Sequence, residues 1–153
     1  DVIKFEIWNA WDGGNPSGHS LIQRFAFLNA AWYIYQKNPI LGVGIGDLPS
    51  SYGAAYNALN SPLNSNFRLR AHNQFITLLV SGGPLNLILL LVLFRVLIPL
   101  PSQIPTHPTN AAVLFLVVIM LSCLTEDTLE TQAGVTFTGF FIGLFGRRQP
   151  PQV

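Results

Sequence analysis

From Gln74 to Leu100 the chain carries a single charge, Arg95, in an otherwise apolar and small-residue run. About 27 helical residues at roughly 1.5 Å rise cover about 40 Å, more than the ~30 Å hydrocarbon core of a bilayer. One interruption breaks the pattern, Gly82-Gly83-Pro84. Pro84 has no N–H to give to the carbonyl of Val80, so a kink is expected there, and surrounding structure must accommodate it.

Half of the 153 residues are apolar and 10% are charged, against about a quarter charged in an ordinary soluble domain. The apolar residues concentrate after position 71. Two further runs, Ala111 to Leu124 and about Ala133 to Gly146, are separated by Thr125-Glu126-Asp127-Thr128-Leu129-Glu130. The expected fold is therefore all-α: a membrane-protein fragment with about three transmembrane helices, near 74–100, 108–125 and 131–147. A tail follows at 149–153. Arg95, Arg147 and Arg148 fall on one side of these spans, which the positive-inside rule assigns to the cytoplasm. Residues 1–73 then form an extracytoplasmic loop region, with His72 and the acidic connection on the same face.

Within that region, Asp12 to Gly18 is a cluster of turn formers. Ser20 can cap a helix, and Leu21, Phe25, Leu28, Trp32 and Tyr35 recur at spacings of three or four, predicting an amphipathic helix over about 20–38. Its polar residues, Gln23, Arg24, Asn29, Gln36 and Lys37, suit a helix lying along the membrane interface. Pro39 to Asn66 reads as an ordered loop with room for one short helix near Tyr52 to Leu59. The chain opens Asp1-Val2-Ile3-Lys4 with no leader of the signal-peptide kind, and it reads as a piece of a longer protein. That piece is expected to be inactive alone.

Net charge is +1 and the basic residues are scattered, which excludes a nucleic-acid partner. The lone cysteine, Cys123, excludes an intrachain disulfide and reads as packing. Gly42-Val43-Gly44-Ile45-Gly46 lacks the third glycine and the framing strand of a dinucleotide loop. Glu126, Asp127 and Glu130 read as solvated or paired acids rather than metal ligands. His19 and His107 suggest only local roles. Arg68, Arg70, His72 and Asn73 are more informative, standing where a polar loop enters the first span. They either anchor the helix to lipid phosphates or meet an anionic lipid headgroup as a ligand. Arg24 adds a third guanidinium, which either snorkels or joins them in bidentate recognition of a diphosphate.

Gln23-Arg24-Phe25-Ala26-Phe27-Leu28, then Asn38-Pro39-Ile40-Leu41-Gly42-Val43-Gly44, then Ala71-His72-Asn73-Gln74-Phe75 with Gly83 following, resemble in order and spacing the signature of the O-antigen ligase/polymerase family. The resemblance covers about residues 18–95. It implies a multi-span bacterial inner-membrane glycosyltransferase, working on the periplasmic face without metal or other cofactor. Its implied donor is an undecaprenyl-diphosphate-linked glycan, and its acceptor a hydroxyl of lipid A core or of a second glycan. By the same resemblance Arg24 and His72 are catalytic, with His72 activating the acceptor. Arg24, with Arg68 or Arg70, holds the diphosphate, and Asn73, Glu126 and Glu130 are supporting candidates. The sequence departs from many members at Asn86, where a small residue is usual.

The chemistry is consistent with those roles. A departing diphosphate gathers negative charge that guanidinium groups can stabilise, and an imidazole can take a proton near neutral pH. Three readings compete with the ligase: a polymerase or a protein O-oligosaccharyltransferase of the same chemistry, a transporter or flippase using the helix break, and a plain membrane anchor.

Overall fold

The computed structural model describes residues 20–97 and 108–145. Among them the chain is helical throughout, with no strand: α1 (Ser20–Lys37), α2 (Leu48–Ala58), α3 (Gln74–Leu97), α4 (Pro108–Thr125) and α5 (Gln132–Phe145). Single 3-10 turns at Ser65–Phe67 and Thr128–Glu130 join them. The stretch 1–18, His19, His107, Arg147 and Arg148 lie outside the described residues. The chain divides into two units between Leu87 and Ile88, inside α3.

In the first unit α1 packs on α2, around Phe27, Ala30, Ala31 and Ile34 of the former and Leu48, Tyr52, Ala55 and Tyr56 of the latter. Full burial of a Phe or Ile side chain is worth about 1.5–3 kcal/mol, and the paired alanines let the two backbones approach. The face that packs on α2 is a different one from the apolar stripe expected to lie along the membrane interface. Of the stripe Leu21, Phe25, Leu28, Trp32 and Tyr35, Phe25 and Trp32 are 71% and 55% exposed. Because α1 is apolar around most of its circumference, spacing alone did not say which face would be covered. The alanine-bearing face packs against protein, Tyr35 of the stripe joins the edge of that core, and Phe25, Leu28 and Trp32 are left outside.

Asn60 ends α2 in a left-handed conformation, φ 48°. The Ser61 amide donates to the Tyr56 carbonyl (3.0 Å) and the Asn60 amide to the Asn57 carbonyl (3.1 Å), a Schellman closure with asparagine in the place glycine usually takes. It turns the chain back so that Leu63, 2% exposed, joins the core.

α3 starts at a side-chain cap: Asn73 Oδ1 accepts from the Ile76 amide at 3.1 Å, as an N-cap asparagine does. Its first two turns turn Gln74, Thr77 and Ser81 inward, each at most 3% exposed. The expected break is present, with non-helical backbone at Gly82 and Gly83. The loop after α1 accommodates it. The Val43 amide donates to the Val80 carbonyl (3.0 Å) and the Gly44 amide to the Ser81 carbonyl (2.7 Å), replacing the helical bonds lost at the break. The Asn86 side chain folds back over Gly82 into the space a Cβ would need, which gives this polar residue a packing role.

In the second unit α5 packs on α4 and on the intervening turn. Phe115 stacks on Phe141 with ring centroids 5.1 Å apart, and Phe137 meets Phe141 at 4.7 Å. Ser122 and Thr128 share a hydrogen bond of 2.7 Å, and Cys123 is buried as packing. Among the described residues, only α3 is long and apolar enough to cross a membrane. Helix α5, with 14 residues, covers about 21 Å. The described chain is thus all-α with one candidate span.

Candidate functional site

Arg24 lies on the first turn and a half of α1, exposed, and has no hydrogen bond or ion pair among the described residues. Phe27 follows one helical turn later and is 3% exposed. The His72 ring rests against it, with centroids 5.8 Å apart. The loop into α3 is thereby brought to the part of α1 that presents Arg24. His72 is half-buried, and its backbone is left-handed, φ 48°. Histidine tolerates that region better than most residues. The turn it makes sets Asn73 at the cap of α3, so in His72-Asn73 the first residue redirects the chain and the second starts the helix.

The two other candidate arginines differ. Arg68 is held inside the loop: Nε donates to the Leu63 carbonyl (2.9 Å), Nη1 to Asn57 Oδ1 (2.7 Å) and Nη2 to the Ser61 carbonyl (3.3 Å). Its guanidinium also lies 5.9 Å from the Tyr56 ring centroid, at the edge of cation–π range. Beside it the Tyr56 hydroxyl donates to the Leu69 carbonyl at 2.5 Å. Burial pushes the Tyr56 hydroxyl well above its ordinary value, with neighbouring Tyr52 adding to the rise and Arg68 opposing it. Tyr56 and Arg68 therefore fix the main chain directly before Arg70, which is half-buried. Nothing in the sequence marked Tyr56, because tyrosine in a short apolar helix is ordinary core.

The Tyr56→Phe variant should lose about 1 kcal/mol, since it removes the hydrogen bond to the Leu69 carbonyl. Thermal unfolding in detergent measures it. The raised hydroxyl also has a pH signature. The folded state holds Tyr56 neutral beyond the ordinary tyrosine value of 10.0, so its contribution is full below pH 10 and falls away as pH rises further. Arg68→Lys keeps the charge but not the three-way fork, and it should lower stability by about 1–3 kcal/mol.

Glu126 and Glu130 belong to the second unit, the former just after α4 and the latter closing the turn before α5. Glu126 is exposed and Glu130 half-buried, while Asp127 between them is 7% exposed. Among the described residues no three His, Cys, Asp or Glu side chains gather closely enough to share a metal ion.

The described chain is all-helical, and its one helix of membrane length is entered through a polar loop that bears arginines and a histidine. Residues 5–94 match the O-antigen ligase family model, and the chain belongs to that family. Membership carries activity of the O-antigen ligase or polymerase type, glycosyltransferase-like chemistry in polysaccharide biosynthesis. Lipid-linked glycan and acceptor are its general partners, and the family's members are inner-membrane proteins. No curated protein and no solved structure shows significant similarity to the chain.

Proposed function

We propose that this chain carries the periplasmic active face of an enzyme that moves a glycan from an undecaprenyl-diphosphate carrier to an acceptor hydroxyl. The observation that carries the reading is the contact of His72 with Phe27, which sets an imidazole within about one helical turn of an exposed arginine with no partner among the described residues. In one displacement, His72 takes the proton of the acceptor hydroxyl as its oxygen attacks the anomeric carbon. The diphosphate leaves with the bonding electron pair, and Arg24 and Arg70 stabilise its charge without a metal. Arg68 serves to position Arg70, since each nitrogen of its guanidinium already donates once within the loop. Asn73 starts the helix behind the site, and Glu126 and Glu130 remain supporting candidates. In the membrane α4 and α5 complete three spans with α3, with Arg95 at the cytoplasmic end.

Ligase and polymerase differ in acceptor, lipid A core against a second glycan, and the chemistry on this face serves both. The transporter reading is disfavoured by the helix break: the carbonyls of Val80 and Ser81 that a broken helix could offer to an ion already accept from Val43 and Gly44. The test is transfer by the purified whole protein, given undecaprenyl-diphosphate-linked glycan and acceptor. Arg24→Ala should fold normally, since its side chain is exposed, and should lose about 10²–10³-fold in rate, as for removal of one charge-stabilising donor. Undiminished transfer by Arg24→Ala would remove the arginine from the site.

A further inference from the structure

Between Lys37 and Asp47 lie nine residues without a charge, Asn38 to Gly46. Three of them are large aliphatics turned outward: Ile40, Leu41 and Ile45 are 76%, 79% and 67% exposed. In water this is an unusual place for three aliphatic side chains, because loops there are ordinarily polar and such clusters mark a binding surface. The segment is not loose chain. Its backbone is tied by the Gly42 amide to the Asn38 carbonyl (3.1 Å) and by the Val43 and Gly44 amides to the break in α3, and Gly83 lies directly against the Ile40 carbonyl.

The depth of that break follows from helix length. A ~30 Å hydrocarbon core takes about 20 helical residues. In α3, which has the length and apolarity to cross that core, Val80 and Ser81 stand six and seven residues past the start at Gln74, roughly 9–10 Å along the helix. Irregular backbone at such depth is tolerated only where its polar groups are satisfied. The two loop-to-helix bonds satisfy the freed carbonyls, and the aliphatic side chains of the same loop point away from the protein. The Leu85 side chain, one residue past the break, is 61% exposed and continues the apolar surface.

We propose that the loop Asn38–Gly46 dips into the outer leaflet of the bilayer, with Ile40, Leu41 and Ile45 inserted among the acyl chains. The partner is lipid hydrocarbon rather than another protein. Lys37 and Asp47, both exposed, mark where the chain enters and leaves the headgroup layer. The consequence for the enzyme is a fixed height: the loop that closes the break in α3 also sets how far the α3 entrance stands above the lipid.

The test uses the whole protein in vesicles of phosphatidylethanolamine and phosphatidylglycerol, its native cysteines replaced, Cys123→Ala among them. Single cysteines at Leu41, Ile45 and, as a polar control, the exposed Ser50 carry an environment-sensitive fluorophore. Labels at 41 and 45 should emit to the blue of the label at 50. They should be quenched several-fold more by lipids bearing a nitroxide on the acyl chain, and that at 50 more by aqueous iodide. Iodide quenching at 41 and 45 equal to that at 50 would place the loop in water and overturn the proposal. Labels at 41 and 45 that neither quencher reaches would also overturn it, since the loop would then be covered by protein. Transfer activity plays no part in the readout, so the result is independent of the roles of Arg24 and His72.

Discussion

In the purified whole protein, His72→Ala should transfer glycan about 10²–10⁴-fold more slowly than wild type, the range for loss of a general base. The side chain is half-buried against Phe27, and its backbone is left-handed, so alanine also introduces strain of about 1–2 kcal/mol. His72→Asn separates the two effects. Asparagine accepts the left-handed region more readily than alanine, so this variant should unfold near the wild-type temperature and be as slow as His72→Ala. Phe27→Leu keeps the core filled but removes the ring under the imidazole. It should slow transfer by less than His72→Asn, which distinguishes a positioning residue from a catalytic one. Near-normal transfer by His72→Asn would remove the base from the scheme.

Gly83→Ala should be among the most damaging small substitutions in the chain. Gly83 has φ 66° and ψ −166°, a region essentially closed to side chains, and a Cβ there would run into the Ile40 carbonyl. Strain and overpacking together cost about 3 kcal/mol or more, a large part of a typical 5–15 kcal/mol stability. Gly42→Ala should behave alike, since its φ is 65° and its Cβ would meet the backbone of Ser81 and Gly82. Two neighbours serve as controls. Gly44 has φ 85° with open space around it, and Gly46 has open space and no positive φ. Gly44→Ala should cost only its strain, about 1–2 kcal/mol, and Gly46→Ala close to nothing. Thermal unfolding in detergent reads all four, and equal stability of the Gly83 and Gly46 variants would show that the loop does not clasp the break.

The break in α3 was legible because proline's missing N–H is a local fact. Its remedy was not, since the amides of Val43 and Gly44 reach Val80 and Ser81 only through a contact spanning nearly forty residues of sequence. The glycines at 42 and 44 could be rejected as a nucleotide loop, and the structure shows the positive φ values they supply instead. Helix positions α3 to α5 followed from apolar runs, which are local too. The packing face of α1 did not, because its sequence is apolar on several faces and the choice was made by small residues meeting α2. For the candidate site, Arg24 and His72 were singled out by their setting in the motifs, while the hydrogen bonds that hold Arg68 depended on where Asn57, Ser61 and Leu63 end up. A Schellman closure at Asn60 decides that, and asparagine in a loop rich in Asn and Ser carries no distinctive signal. Phe27 escaped notice as one aromatic among many.

If the α1–α3 entrance is a glycan-transfer site built on Arg24 and His72, complementation will show it. A strain lacking the whole gene receives wild type, Arg24→Ala or His72→Asn, and its surface polysaccharide is resolved on a gel at matched membrane abundance. Glycan-bearing bands should return with wild type alone and be absent with either variant. Normal bands with both variants would contradict it.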